Sequence, residues 1–264
     1  MAGSTPLEQV LAAHERAGAA FAALLRGAPD GDARVPGLDW TVADLGAHVV
    51  SGARLYAAGI ETDEGGFWPD LDSPAHNAAE IAATPERDPS TQADAIDAEL
   101  PRLRAAWRSR AAERVPWHGG LRLDVRDQAA IHLGDLLVHG VDLSRALRRP
   151  FPIDRADVAL VIEGVASVAP HYVDRDAALG FTATYGLHVR GDGDHTFRFD
   201  DGALTVTPGR PPRADCRLSA DPVAFLLTGY GRLAVAKAAL TGKVVSYGRK
   251  PWLGLRFGSL LRSP

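Results

Sequence analysis

The period of the hydrophobic pattern changes once along this chain, and that change bounds what it can fold into. Up to about residue 168 apolar residues recur at helical spacing, whereas from 181 to 220 they alternate in the manner of strands. Residues 6–26 put Leu7, Val10, Leu11, Phe21, Ala22 and Leu25 on one stripe. Gly18 shares that stripe and would let a neighbouring helix pack close. Pro6 suits a first turn, and Gly27 suits a stop. A second helix begins at Thr41, with Asp44 three positions on as a variant capping box. Leu45, His48, Val49, Leu55 and Tyr56 follow. A third helix is predicted over roughly 91–113, through Ile96, Leu100, Leu103 and Trp107, with Pro101 near its start or at a kink. A fourth is predicted over roughly 124–147. Residues 61–90, rich in Gly, Pro and acids, read as a long connection.

A further helix at about 154–168 precedes the change of texture. FTATYGLHVRG, HTFRFDDG, ALTVTPG and ADCRLSA then read as strands, with DDG as a tight hairpin. DPVAFLLTG and RLAVAKAAL read as helices, and GKVVSYG follows them. The expected fold class is α + α/β with two domains. A four-helix bundle occupies 1–150, a connecting helix or linker 151–178, and a small α+β domain 179–264.

Charge enters because it differs between the halves. Residues 1–150 carry 15 arginines and no lysine against 22 acids, whereas 151–264 carry 14 basic and 11 acidic residues. The net charge of −4 argues for no nucleic acid. Neither a basic region followed by an apolar run nor a stretch of membrane-spanning length is present, so a cytoplasmic protein without a membrane partner is expected. The single cysteine, Cys216, excludes an internal disulfide and a cysteine-rich metal site. Its alternating surroundings mark a core or edge-strand residue.

The chemistry concentrates in AAIHLGDLLVHGVDLSRALRRP, residues 129–150. Asp135 and His139 lie one turn apart, offset by about 40° around the helix. A carboxylate oxygen and an imidazole nitrogen so placed can reach one cation, and His48, amid the apolar LGAHVVSG, is the best third donor. Two histidines and one carboxylate with open positions are the pattern of a catalytic divalent site. The same residues also suit a hydrogen-bonded Asp–His pair and a satisfied core histidine. Spacing does not choose between these.

WTVADLGAHVV (40–50) and DLLVHGVDLSRAL (135–147) resemble the two hallmark stretches of the metal-binding domain of mycothiol-dependent maleylpyruvate isomerases, within the DinB-like superfamily of four-helix enzymes. The resemblance covers residues 1–150. It implies a DinB-like bundle in which His48, Asp135 and His139 ligate zinc or a similar divalent ion. One departure is that the prototype carries Glu where this chain has Asp135, one methylene shorter. Residues 214–257 resemble the sterol-carrier-like domain that accompanies this bundle, which implies an apolar tunnel or cover. Because the family enzymes bind substrate carboxylates with arginines, Arg232, Arg249 and Arg256 become candidates for substrate binding.

His132, on the face of Asp135 and His139, suits a fourth ligand or an orienting partner, and equally a polar residue at the bundle edge. Asp142, three past His139, would accept the free imidazole N–H or pair with Arg145. His14, His76, His118, His171, His188 and His195 have no partner spacing, so surface or loop roles are expected. GDGD at 191–194 reads as a turn, and GYGR at 229–232 lacks the context of a phosphate cradle.

The combined expectation is a metal- and mycothiol-dependent transferase or isomerase of the maleylpyruvate type. It would act on a small electrophile with a low-molecular-weight thiol, as a monomer or homodimer. The rival readings are a ligand-binding or carrier protein whose metal is structural or vestigial, and a metal-dependent hydrolase.

Overall fold

The computed structural model describes residues 6–63 and 67–262. The N-terminal residues 1–5, on which the expectation of no basic region followed by an apolar run partly rests, lie outside the described residues. Two compact units divide at Ile153 and Asp154.

The first unit is a helical bundle. Its long helices are α1 (Leu7–Arg26), α2 (Val42–Thr62), α4 (Pro89–Ser109) and α5 (Val125–Leu147), with a short α3 (Ser73–Ala83) between α2 and α4. Helix α1 packs on α4 and α5, and α2 packs on α4 and, less extensively, on α5. Phe21, Leu25, Leu45, Ile96, Leu103, Trp107, Leu133 and Leu136 form the centre of the core, each almost wholly removed from water. A Cβ on Gly18 would collide with Leu100, so the glycine does permit the α1–α4 approach.

The α2 capping box is present in full. Thr41 Oγ1 accepts from the Asp44 N–H at 3.1 Å, and Asp44 Oδ2 accepts from the Thr41 N–H at 2.9 Å. Stretch 61–90 is not one long connection, because α3 lies within it. Its only buried residue is Ile81, so it carries no apolar stripe by which to be read. Helix α4 starts at Pro89 behind an Asp88 cap and runs through Pro101, whose ring faces solvent. A small hairpin, β1 (Arg114–Pro116) with β2 (Arg122–Asp124), precedes α5 and was not expected.

The second unit is α+β. Helix α6 (Arg155–Val168), in the segment expected to be a connector, packs on α8 (Pro222–Gly229). A turn of helix, α7 (Arg175–Ala178), leads to the sheet. Its strands are β3 (Ala183–Val189), β4 (Asp194–Asp200), β5 (Ala203–Pro208), β6 (Cys216–Ala220) and β7 (Val244–Tyr247), in the order β5-β4-β3-β6-β7. Only β3 and β6 run parallel. Asp201 and Gly202 turn the β4–β5 hairpin, both at positive φ, as a two-residue turn between right-twisted strands requires. Helices α9 (Val235–Leu240) and α10 (Leu253–Phe257) complete the unit.

Alternation in β4 buries His195, Phe197 and Phe199, and in β6 it buries Cys216, Leu218 and Ala220. Burial pushes the Cys216 thiol pKa up, which removes it as a nucleophile. An apolar cavity of about 430 Å³ lies within this unit, lined by Val161, Tyr172, Phe197, Leu218, Phe225 and Phe257 among others. Among the described residues, no helix is long and apolar enough to cross a membrane.

Candidate metal centre

Helices α2 and α5 bring His48, Asp135 and His139 together. Each offers one ligand atom, and the three atoms lie within 4.8 Å of one another. Asp135 Oδ1 lies 3.2 Å from His139 Nε2, and Asp135 Oδ2 lies 3.4 Å from His48 Nε2. The two imidazole rings stand nearly perpendicular, with centroids 4.8 Å apart. Trp40, just ahead of the α2 cap, covers both rings, with its centroid 5.0 Å from that of His48 and 5.6 Å from that of His139.

Asp135 is the open side of the cluster. Its side chain is 37% exposed, against 9% for His48 and 7% for His139. Neither buried ring nitrogen of His48 makes a well-formed hydrogen bond; Nε2 has only the 3.4 Å ion-pair contact with Asp135, and Nδ1 has none. A buried imidazole nitrogen left unsatisfied costs on the order of 1–3 kcal/mol, and a coordinated cation would offset that cost. The donor set therefore fits a divalent ion. Burial would raise the Asp135 carboxyl, but His139 and His48 outweigh it and hold its pKa well below the usual range. Burial likewise opposes charge on His139, yet Asp135 and Asp142 raise its pKa to about 9.

Asp142 takes the orienting position. Its Oδ2 lies 3.2 Å from His139 Nδ1, and its Oδ1 lies 4.0 Å from Arg145. The carboxylate keeps the Nδ1 proton and leaves Nε2 as the donor atom toward Asp135 and the centre.

His132 is outside the three-residue cluster and is no bundle-edge residue: it is buried and pairs with His14, whose Nε2 lies 3.0 Å from His132 Nδ1. The surface or loop expectation fails for His14, in α1, and His195, in β4, both buried; His118 does lie in the β1–β2 connection, but buried. His14 occupies the inner face of α1, between small alanines that conceal it in the pattern. His118 sits between aromatic rings, with its centroid 3.9 Å from that of Trp68, and its Nδ1 accepts from the Trp68 N–H at 3.2 Å. Tyr56 joins these groups, meeting His132 at 5.1 Å and His118 at 5.9 Å between centroids. A tyrosine eight residues after His48 was the available signal for it, since a residue at that spacing, about 80° around the helix, still borders the same broad stripe.

The three arginines lie in the second unit. Arg232 donates to the Tyr230 carbonyl, and Arg249 pairs with Asp215. Arg256 donates to the Ala177 carbonyl at 2.9 Å and lies over the Phe181 ring. Asp215, held also by the Thr184 N–H and Lys250, has a pKa of about 2.

Two family models match the chain. The mycothiol maleylpyruvate isomerase N-terminal domain covers residues 11–144, and the SCP-2 sterol transfer family covers residues 169–249. Among solved structures, that of a mycothiol-dependent maleylpyruvate isomerase is similar at 17% identity and a TM-score of 0.58, over 92% of this chain and 93% of that one. A histidine-to-alanine mutant of a mycothiol-dependent maleylpyruvate isomerase is similar at 18% identity, with the same TM-score and coverage. At such identities the likeness speaks for the fold. No curated protein sequence matches the chain.

Proposed function

Since the chain belongs to the mycothiol maleylpyruvate isomerase N-terminal domain family, we propose that it is a divalent-metal- and mycothiol-dependent isomerase of a small, activated cis-alkene of the maleylpyruvate kind. The observation that carries this reading is the convergence of His48, Asp135 and His139 from two helices, with the His48 nitrogens buried and making no well-formed hydrogen bond. Two imidazoles and a carboxylate suit zinc. Bound there, the ion would supply Lewis acidity that lowers the pKa of a thiol at neutral pH.

The chain's own residues set up the rest. Asp142 fixes the His139 tautomer, Trp40 covers the two imidazole donors, and the exposed edge of Asp135 leaves one side for reactants. Addition of the mycothiol sulfur to one alkene carbon turns the double bond into a single bond, which rotates. Expulsion of the same thiolate restores the alkene in the trans form, so the thiol is regenerated and no redox partner is needed. Asp135 reaches one methylene less far than the glutamate of the prototype. Closer approach of α5 to the ion would compensate.

Elemental analysis of gently purified protein, followed by turnover of maleylpyruvate with and without mycothiol and chelator, tests the proposal. Stoichiometric metal and thiol-dependent turnover that His139→Ala abolishes are expected. Turnover without thiol would instead indicate hydrolysis or another metal reaction.

The cavity of the second unit favours a second binding function there. About 430 Å³ of apolar space beneath α6 and α8 would hold an apolar molecule. Displacement of a fluorescent fatty acid measures this separately from turnover.

A further inference from the structure

Helices α2 and α5 run antiparallel where they meet, because His48 faces His139 while Tyr56, two turns further along α2, faces His132, two turns back along α5. Between these two pairs stands Gly52, one turn from His48 and one from Tyr56. A glycine inside a helix costs about 1 kcal/mol relative to alanine. No neighbour demands it here, since a Cβ at Gly52 would meet nothing within 4 Å. The surface of α2 one turn from His48 is therefore open at this position. His132 lies on the same stripe of α5 as the two ligands, about 20° around the helix from His139. It feels the charges of both Asp135 and His48.

The proton on His132 is assigned by its neighbours. Arg104 is buried, with Nη1 3.5 Å from His14 Nδ1. A guanidinium only donates, so His14 Nδ1 accepts and the His14 proton resides on Nε2. That N–H donates to His132 Nδ1 at 3.0 Å. The His132 proton is thereby placed on Nε2. The nearby Trp107 N–H does not compete, because it donates to Gln128 Oε1 at 2.7 Å. Glu15, 3.7 Å from Arg104, balances the buried cation. Burial keeps both imidazoles neutral, with His14 held well below its ordinary pKa and His132 lowered to about 4.

We propose that His132, locked in the Nε2–H tautomer through Arg104 and His14, is an uncharged hydrogen-bond donor to a carboxylate or enolate oxygen of the small molecule bound in the space beside Gly52. A neutral donor suits this place. It would stabilise negative charge developing on a substrate oxygen without competing as a cation for the metal donors. His14 and Arg104 act as positioning residues. The inference rests on the reading that a small anionic reactant binds at the His48–Asp135–His139 centre.

Nitrogen-15 NMR of the histidine rings in the full chain tests it, with maleate as the probe and zinc as the added metal. Wild type is expected to show His132 as the Nε2–H tautomer. His14→Leu should release that preference, and His14→Gln, whose amide still donates, should retain it. Maleate added to zinc-loaded protein should shift the His132 Nε2 signal. If the catalytic role holds, His132→Leu lowers kcat for maleylpyruvate by about 10²-fold, and His132→Gln restores most of it with KM for mycothiol unchanged. A proton found on Nδ1, an unchanged tautomer in His14→Leu, or maleate shifts that spare His132 would each overturn the proposal. Should the wild type show the tautomer and the maleate shift but no mycothiol-dependent turnover, the isomerase reading fails and the donor site stands. The wild-type spectra decide the matter even if a leucine variant does not fold.

Discussion

Asp142 is sealed against His139. Its Oδ2 lies 3.2 Å from the imidazole Nδ1, and only 1% of its side chain is exposed. A carboxylate so buried needs a proton donor as partner. The donor it holds is the ring whose other nitrogen, Nε2, lies 3.2 Å from Asp135 Oδ1. Orientation of the candidate centre is thus set from behind, one turn further along the same helix.

Asp142→Asn is accordingly expected to weaken divalent-metal affinity by about 10–100-fold, the usual cost of losing an orienting partner. Competition against a chromogenic chelator measures it. Unchanged affinity would mean that Asp142 serves packing alone.

Metal binding should also depend steeply on pH. In the metal-free protein the neighbouring carboxylates raise the His139 pKa to about 9, so below that value a proton must leave before Nε2 can ligate. Apparent affinity is expected to rise about tenfold per pH unit from pH 7 toward 9, with one proton released per ion. Calorimetry in buffers of different ionisation enthalpy counts that proton. In Asp135→Asn the main force raising His139 is gone, and its NMR titration midpoint should fall.

Acid should unfold the bundle through histidines rather than carboxylates alone. Burial lowers His14 well below 6.5, His132 to about 4 and His118 to about 3. These groups bind protons more readily in the unfolded chain. Their contribution is therefore complete above pH 6.5 and is lost as the pH falls toward 4. For His132 alone the loss amounts to about 3 kcal/mol. Urea midpoints at pH 7, 5.5 and 4.5 check the slope, which should be shallower in a His118→Asn variant.

Filling the cavity of the second unit should separate its binding from the metal chemistry. Val165 lines that cavity from α6 and is half-buried. Val165→Trp is expected to reduce fatty-acid probe binding at least tenfold while metal content stays at the wild-type level. Equal binding in both proteins would place the probe elsewhere.

Much of this molecule was legible before any coordinates, and the legible part has one physical character. The Thr41–Asp44 box, the Asp201–Gly202 turn and the one-turn spacing of Asp135 and His139 are local, so the backbone period dictates them within a few residues. The shift from helical to alternating burial likewise separated bundle from sheet. Helix α3 escaped because a helix that buries only Ile81 leaves no stripe. The partners of His14 escaped for a deeper reason. Periodicity states which residues share a face, but it is silent on which face of another helix lies opposite. The packing of α1 against α4 and α5 set His14 beside Arg104 and His132. The crossing of α2 over α5 placed His48 and Trp40 against His139. Such contacts join residues far apart in the chain, and the closing of the core decided them.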